Sequence, residues 1–206
     1  MRKIWIAGLV LAVLGLVLYN LSASQPAPVL DEAYLGRLRE ARRQKDQTLH
    51  TAADSPIPDA QRATFAGLRY FAPTVGFRVT ASITRQPVLL PQPLAMSLGQ
   101  PESYQRWGTA EFELNGQPQK LTLLQKAGDK QLFVPFTDPT NGEQTYGAGR
   151  YIDVPLPPDE ANEIELDFNQ AYNPYCAYNH EYSCPLPLAE NRLTVPVAAG
   201  EQTFQP

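Results

Sequence analysis

The first hydrophobic pattern in the chain is a continuous apolar run at the N-terminus. Residues 4–19 contain no charged side chain, and Arg2 and Lys3 precede them. A helix that crosses a bilayer needs about 20 apolar residues, and the run approaches this length when Asn20 and Leu21 are included. Residues 4–21 therefore predict a membrane segment. The two basic residues favour a cytoplasmic N-terminus and export of the rest of the chain.

The same run also admits an interpretation as a cleaved signal peptide. Ser22, Ala23 and Ser24 supply small residues at the spacing that a signal peptidase recognises. Trp5 and Tyr19 lie at the two ends of the run, as interfacial aromatic residues do, and they favour an uncleaved anchor. We expect a single-pass protein of the inner or cytoplasmic membrane, with a linker at 22–30 and one extracytoplasmic domain at 31–206. Secretion after cleavage is the alternative.

A helical pattern follows the linker. Asp31 can cap a helix over residues 31–50, because its side chain can accept a hydrogen bond from a free backbone N–H of the first turn. The apolar stripe of this helix is thin and consists of Tyr34, Leu35, Leu38, Ala41 and Leu49. Basic side chains cover much of the remaining surface: Arg37, Arg39, Arg42, Arg43 and Lys45. The pattern is typical of a solvated surface helix, and contact with anionic lipid headgroups is the functional alternative.

From about residue 70 the hydrophobic period changes to two. Phe77, Val79, Ala81 and Ile83 alternate with polar residues, which predicts a half-buried strand. Asn115-Gly116 separates two strand patterns at 107–114 and 117–125 and predicts a hairpin. Further strands are predicted at 132–136, 150–154, 163–168 and 193–198. The fold class expected is mainly β, an antiparallel β-sandwich or small barrel over about 70–206, preceded by the membrane segment and one or two short helices.

Composition narrows the function classes. The chain has 206 residues, a formal net charge of −4 and no strongly basic cluster, so we expect no nucleic-acid partner. Two His and two Cys leave few ligands, and neither a cofactor nor a resident metal is predicted. Motifs of hydrolases, phosphate-binding loops and zinc proteases do not occur in the sequence.

Polar side chains concentrate in the C-terminal third of the chain. The candidates for binding a small polar ligand or a protein partner are Tyr146, Arg150, Asp167, Asn169, Asn173, Tyr178, His180 and Asn191. Asn amides both donate and accept hydrogen bonds, and an Arg can hold a carboxylate or phosphate with two parallel bonds. The same side chains also satisfy backbone groups in proline-rich loops. Ligand binding and structural hydrogen bonding both remain open.

Cys176 and Cys184 are eight positions apart. In an exported chain this pair predicts a disulfide. Two alternatives use the same residues. One is a zinc site formed with His180, and the other is a redox-active thiol pair, although the Cys-x-x-Cys spacing of thioredoxin-like enzymes is absent.

Several blocks of sequence together resemble one protein family. They include Asp54-Ser55-Pro56, Phe65-Ala66-Gly67-Leu68-Arg69-Tyr70-Phe71, Thr145-Tyr146-Gly147-Ala148-Gly149-Arg150-Tyr151, Tyr172-Asn173-Pro174-Tyr175-Cys176 and Glu190-Asn191-Arg192-Leu193. In these motifs the chain resembles the domain-of-unknown-function family 1684 over roughly residues 31–205. The resemblance implies no activity. Two hypotheses follow: a membrane-anchored, non-catalytic binding module, or a hydrolase or metal-assisted enzyme with its site around Asp167, His180, Cys176 and Cys184.

Overall fold

The structure is a computed structural model that describes residues 30–205. The predicted membrane segment at 4–21 and the possible cleavage site after it lie outside the described residues. Among residues 30–205, no helix is both long enough and apolar enough to cross a membrane.

Two α-helices begin the described chain. Helix α1 spans Glu32–Thr51, and Asp31 caps it as predicted, because the Asp31 side chain accepts a hydrogen bond of 2.7 Å from the Tyr34 N–H. Helix α2 is a single turn, Asp59–Arg62. The side chains of Tyr34, Leu38 and Leu49 are buried, so α1 lies against the rest of the domain along one face.

Six strands follow: β1 Arg78–Leu94, β2 Glu102–Leu114, β3 Gln117–Gln125, β4 Gln131–Phe136, β5 Arg150–Pro155 and β6 Glu163–Asp167. All neighbours pair antiparallel in the order β5-β4-β3-β2-β1-β6. The described edge strands β5 and β6 approach each other without pairing, which makes the sheet a nearly closed barrel. The mainly β prediction is confirmed, and of its two alternatives the barrel is the one observed.

The predicted hairpin is present between β2 and β3. Asn115 and Gly116 both have positive φ angles, 52° and 73°, as a two-residue turn of this type requires. Leu114 pairs with Gln117 directly across the turn. A local sequence signal therefore sets the register of these two strands.

The barrel interior contains the main hydrophobic core. Alternate residues of the strands supply it, among them Ala110, Phe112, Leu121, Leu123, Leu132, Val134, Ile152 and Leu166. Phe136 and Phe168 are fully buried, and their rings meet edge to face with centroids 5.3 Å apart.

The strand predicted at 193–198 is wrong. Leu193, Val195 and Val197 are buried and alternate with exposed residues, but this segment belongs to none of the described strands. At its beginning the Leu193 N–H donates to the backbone carbonyl of Thr137 at 2.8 Å, just after β4. The next N–H groups bond to side chains: the Thr194 N–H donates to Gln119 Oε1 at 3.0 Å, and the Val197 N–H donates to Asp138 Oδ1 at 2.9 Å. The alternation reflects burial in the main hydrophobic core and not pairing in the six-stranded sheet.

Candidate functional site

The buried side chain of Arg150 holds the C-terminal tail on the barrel. Its Nη1 donates to the backbone carbonyls of Ala199 and Glu201, and its Nη2 donates to the Val197 carbonyl at 2.8 Å and to Asp138 Oδ2 at 3.1 Å. The side chains of Arg150 and Asp138 are both fully buried. Arg150 therefore binds a carboxylate, as its chemistry predicts, but the carboxylate is that of Asp138. We call Asp138, Arg150 and the three tail carbonyls the tail clasp.

Two of the candidate asparagines also bond to backbone. The Asn191 side chain accepts from the Thr122 N–H at 2.7 Å and donates to the carbonyls of Thr122 and Pro135 at 2.9 and 2.8 Å. Asn169 bonds in the same way to both backbone groups of Thr74, at 3.0 and 2.9 Å. Both side chains join segments that are distant in sequence, so the structural interpretation accounts for their burial.

Asp167 joins the helix to the barrel. Its Oδ2 accepts hydrogen bonds of 2.8 Å from the Tyr34 hydroxyl of α1 and from the Gln170 amide. Burial and the bond to Asp167 raise the pKa of Tyr34 well above its ordinary value, so this hydroxyl remains a donor. The Asp167 side chain is thus committed to a structural contact.

The centre predicted for a metal-assisted hydrolase is not assembled. Within residues 30–205, no group of three His, Cys, Asp or Glu side chains lies close enough together to hold a metal ion. Asp167 is bonded to Tyr34 and Gln170, whereas His180 is exposed at the protein surface. Cys176 and Cys184 form a separate pair.

The two cysteines lie side by side and are buried, with 3% and 5% of their surface exposed. The Cys176 N–H donates to Cys184 Sγ at 3.1 Å, and the Tyr146 hydroxyl donates to Cys176 Sγ at 3.6 Å. Both thiols are free in this structure, so the disulfide stays a prediction. A hydrogen bond from the Cys184 thiol lowers the pKa of Cys176 to about 6, and the same bond with burial raises the pKa of Cys184.

Asn173 and Tyr178 meet at a residue that was not a sequence candidate, Glu201. This carboxylate is 1% exposed. Its Oε2 accepts from the Asn173 N–H at 2.8 Å and from the Tyr178 hydroxyl at 2.7 Å, and its Oε1 accepts from Lys45 Nζ at 2.5 Å. Glu201 therefore joins α1, the loop after β6 and the C-terminal tail.

A cavity of about 160 Å³ opens beside Glu201, between α1 and the segment around residues 169–172. We call it the helix pocket, and its polar lining comprises Arg42, Lys45, Tyr70, Asn169, Gln170, Tyr172 and Glu201. The Arg42 guanidinium stacks over the Tyr70 ring, 4.2 Å from its centroid, and donates to the Asn169 carbonyl at 3.2 Å. Cationic and aromatic side chains thus line the pocket next to one carboxylate.

Two polar atoms of the helix pocket are buried with no partner among the described residues: the Tyr70 hydroxyl oxygen and Arg42 Nε. Burial and the nearby Glu201 charge raise the pKa of Tyr70 well above its ordinary value. The Tyr70 hydroxyl is therefore protonated at neutral pH and can donate a hydrogen bond to a molecule in the cavity.

Sequence reasoning treated the basic residues of α1 as solvated and missed their role here. Leu38, Ala41, Arg42 and Lys45 follow the spacing i, i+3, i+4 and i+7, which places them on one face of the helix. That spacing was the available signal, because Leu38 marks the buried face. For Glu201, close to the C-terminus, no local pattern gave a comparable indication.

The fold and site define a small, nearly closed β-barrel domain whose C-terminal tail and N-terminal helix meet over a polar cavity. Residues 63–202 match the family model described as a protein of unknown function, DUF1684, and the chain belongs to this family. It is also similar to an uncharacterized protein of Haloarcula marismortui, whose solution structure was determined by NMR. The two chains are 39% identical, with a TM-score of 0.68, over 84% of this chain and 95% of the other. Among curated proteins, none shows significant similarity.

Proposed function

We propose that the protein is a non-catalytic binding module, tethered to the membrane through residues 4–21, that takes a small anionic ligand in the helix pocket outside the cytoplasm. One observation carries the binding role. The Tyr70 hydroxyl is buried at a cavity without a hydrogen-bond partner in the described chain, and two cationic side chains line the same cavity.

The polar groups of the pocket favour an oxyanion such as a carboxylate. An unsatisfied buried donor is unfavourable, and a ligand oxygen that accepts from Tyr70 would remove this penalty. Lys45 has three N–H donors, of which one bonds to Glu201, and Arg42 adds a second positive charge. Donors and positive charge together match an acceptor-rich, negatively charged group.

The size of the cavity limits the ligand. About 160 Å³ is well below the roughly 300–1,000 Å³ of pockets that hold drug-sized molecules, so the expected ligand is a compact acid, not a nucleotide cofactor. Only the linker at 22–30 would separate the membrane segment from α1, the helix that carries Arg42 and Lys45. The ligand site would therefore lie close along the chain to the tether.

Calorimetry on the full-length protein in detergent at pH 7, with acetate, succinate and inorganic phosphate as probes, tests the binding role. We expect at least one probe to bind the wild type and to bind Tyr70→Phe about tenfold to a hundredfold more weakly, the loss of one hydrogen bond to a charged group. Tyr175→Phe is the matched control, because Tyr175 is exposed and lies outside the helix pocket. Equal affinities of wild type and Tyr70→Phe, or no binding of any probe, would contradict the assignment.

Topology is tested separately with a reporter enzyme fused after Pro206. The Arg2 and Lys3 asymmetry predicts reporter activity outside the cytoplasm. A cytoplasmic reporter would refute the export, and a soluble mature chain that begins near Gln25 would show that the segment is a cleaved signal.

A further inference from the structure

Strand β1 is interrupted by a large bulge in the middle of its length. Its pairing with β2 jumps from Arg85 and Gly108 to Leu90 and Arg106, so residues 86–89 face a single residue of β2. The extra residues of a bulge cannot all pair with the neighbouring strand, and they bend the chain locally out of the regular sheet. This part of β1 therefore projects from the barrel wall.

The projecting chain is apolar and exposed. We call residues 87–91, with the sequence Pro-Val-Leu-Leu-Pro, the apolar bulge, and all five are exposed. The exposed fractions of Val88, Leu89 and Leu90 are 67%, 41% and 54%. No residue in 86–101 is charged. Large aliphatic side chains exposed next to one another mark a surface that contacts a membrane or another protein.

The charged side chains beside the apolar bulge are paired. Arg85 bonds to Asp159 at 3.3 Å, and Arg106 bonds to Glu190 at 2.6 Å. The bulge is thus an apolar surface whose neighbouring positive charges are already neutralised. Such a surface favours the boundary between the headgroups and the acyl chains of a bilayer over a strongly charged partner.

The apolar bulge also lies within reach of the proposed membrane tether. The Tyr34 hydroxyl, near the beginning of α1, donates to Asp167 at 2.8 Å, and Arg85 bonds to Asp159. Asp159 and Asp167 are eight positions apart, so at most ~27 Å of extended chain separates them. The linker at 22–30 can itself extend to about 30 Å. The membrane segment and the bulge can therefore touch the same bilayer.

We propose that the apolar bulge inserts into the extracytoplasmic face of the bilayer that holds the tether, as a second and reversible point of attachment. The inference rests on the tether of the proposed function and is independent of the helix pocket. A patch of this size binds a free lipid surface weakly. The tether keeps the lipid at a high effective concentration, so a weak contact is sufficient to orient the domain.

Tryptophan fluorescence in nanodiscs tests the insertion. Full-length chains with Trp5→Phe retain Trp107 as their native tryptophan, and Leu89→Trp adds a reporter in the bulge. Each chain is placed as a single copy in phosphatidylcholine nanodiscs, with or without bromine on the acyl chains. We expect brominated lipid to quench Leu89→Trp several-fold more strongly than Gln117→Trp. Gln117 is the matched control because it is exposed and begins β3 at the far end of the β2–β3 hairpin.

Two outcomes of this measurement would overturn the proposal. Equal quenching of Leu89→Trp and Gln117→Trp would show that the bulge remains in water. A blue-shifted emission of Leu89→Trp without quenching would show that protein, and not lipid, covers the bulge.

A charge in the bulge tests whether its apolar surface is the cause. With Val88→Trp as the reporter, Leu89→Glu should reduce quenching to the level of Gln117→Trp, because a carboxylate opposes insertion into the acyl chains. Gln117→Glu adds the same charge at the control position and should leave the quenching of Val88→Trp unchanged. Strong quenching that persists in Leu89→Glu would contradict insertion of the apolar bulge.

Salt and anionic lipid separate this contact from one made by the basic residues of α1. Quenching of Leu89→Trp should be the same at low and high salt and should not require phosphatidylglycerol, because the charges beside the bulge are paired. Quenching that appears only with phosphatidylglycerol and disappears at high salt would assign the contact to α1 and overturn the proposal.

The tether and the apolar bulge fail in distinguishable ways. A full-length chain that does not remain with the nanodiscs on purification refutes the tether, and with it the contact of the bulge. A chain that remains with them but shows no quenching at position 89 refutes the bulge alone. Neither result changes the calorimetric test of Tyr70→Phe, which concerns the helix pocket.

Discussion

The tail clasp and the helix pocket are neighbouring polar regions with opposite hydrogen-bond states. In the clasp, the two terminal nitrogens of Arg150 make four hydrogen bonds to the protein. In the pocket, the buried Tyr70 hydroxyl makes none within the described chain. Residue type therefore does not separate structural from ligand-binding groups here, because an arginine fills one region and lines the other. The two regions differ in their outermost groups: both terminal nitrogens of Arg150 are bonded to the protein, although its Nε has no partner within the described chain, whereas the Tyr70 hydroxyl makes no hydrogen bond there at all.

Glu201 connects the two regions. Its backbone carbonyl accepts from Arg150 in the clasp at 3.1 Å, and its side chain accepts from Lys45 beside the pocket at 2.5 Å. Gly200 allows the chain to make this connection, since its φ is +72° and a Cβ there would lie 2.4 Å from the Ala171 carbonyl oxygen. The clasp thus positions a wall of the pocket, and damage to the clasp should reach the pocket.

The largest effect is expected from Arg150→Met. The change leaves the Asp138 carboxylate buried without its cation and removes the donors to three tail carbonyls. Breaking a buried pair in this way costs about 3–5 kcal/mol in the free energy of unfolding. Urea denaturation measures it, with Arg192→Met as the control because Arg192 is exposed. A loss as small as that of the control would show that the clasp is not what holds the tail.

Tyr178→Phe should have an intermediate effect. It removes a buried donor to the Glu201 carboxylate, and a hydrogen bond to a charged group contributes about 1.5–3 kcal/mol. The free energy of unfolding from urea denaturation should fall by this amount, while Tyr175→Phe changes it little. If Tyr178→Phe and Tyr175→Phe are equally stable, the hydrogen bond from Tyr178 does not stabilise the Glu201 carboxylate. The connection that Glu201 makes between the tail clasp and the helix pocket would then be weaker than proposed.

The parts of the fold that could be predicted from sequence are those that local patterns determine. The Asp31 cap and the Asn115-Gly116 turn act within a few residues, and both are observed. The tail around Val197 was mistaken for a strand, because alternating burial looks the same whether a backbone bonds to a strand or to side chains such as Asp138.

The candidate site was harder to predict, because its contacts join residues that are far apart in sequence. The sequence indicated Asn169, Asn173 and Asn191 as candidate binding residues. Their hydrogen-bond partners lie up to 95 positions away along the chain. Lys45 and Glu201 are 156 positions apart. No periodicity relates such residues, so only the folded chain shows that a surface helix contributes to a pocket.

A smaller, pH-dependent effect is expected at Asp46, next to the helix pocket. Burial, together with the nearby Glu201 charge, raises the pKa of Asp46 in the folded protein. A raised carboxyl pKa makes the ionised side chain unfavourable in the fold, so stability is lost as pH rises from the unfolded value through the folded value. Asp46→Asn keeps an acceptor for the Leu68 N–H, which Asp46 Oδ1 now accepts at 2.9 Å.

The expected result is a Tm of Asp46→Asn above that of the wild type at pH 7, with the difference shrinking at pH 3, where the carboxyl is protonated in both states. Asp54→Asn, at an exposed position near the end of α1, is the control. A difference that does not change with pH would mean that the ionisation of Asp46 is not its cause.

The smallest effect on stability is expected from Tyr70→Phe. This variant tests most directly whether the helix pocket differs from the tail clasp in having an unpaired buried hydroxyl. The variant deletes a buried hydroxyl that has no partner within residues 30–205, and it keeps an aromatic ring for Arg42 to stack on. The free energy of unfolding should therefore change by less than about 0.5 kcal/mol or rise slightly, because an unpaired buried hydroxyl is itself unfavourable. Urea denaturation in the absence of ligand measures it. A loss of more than about 1 kcal/mol would show that the Tyr70 hydroxyl has a protein partner. The helix pocket would then be as satisfied as the tail clasp, and its argument for a ligand would fail.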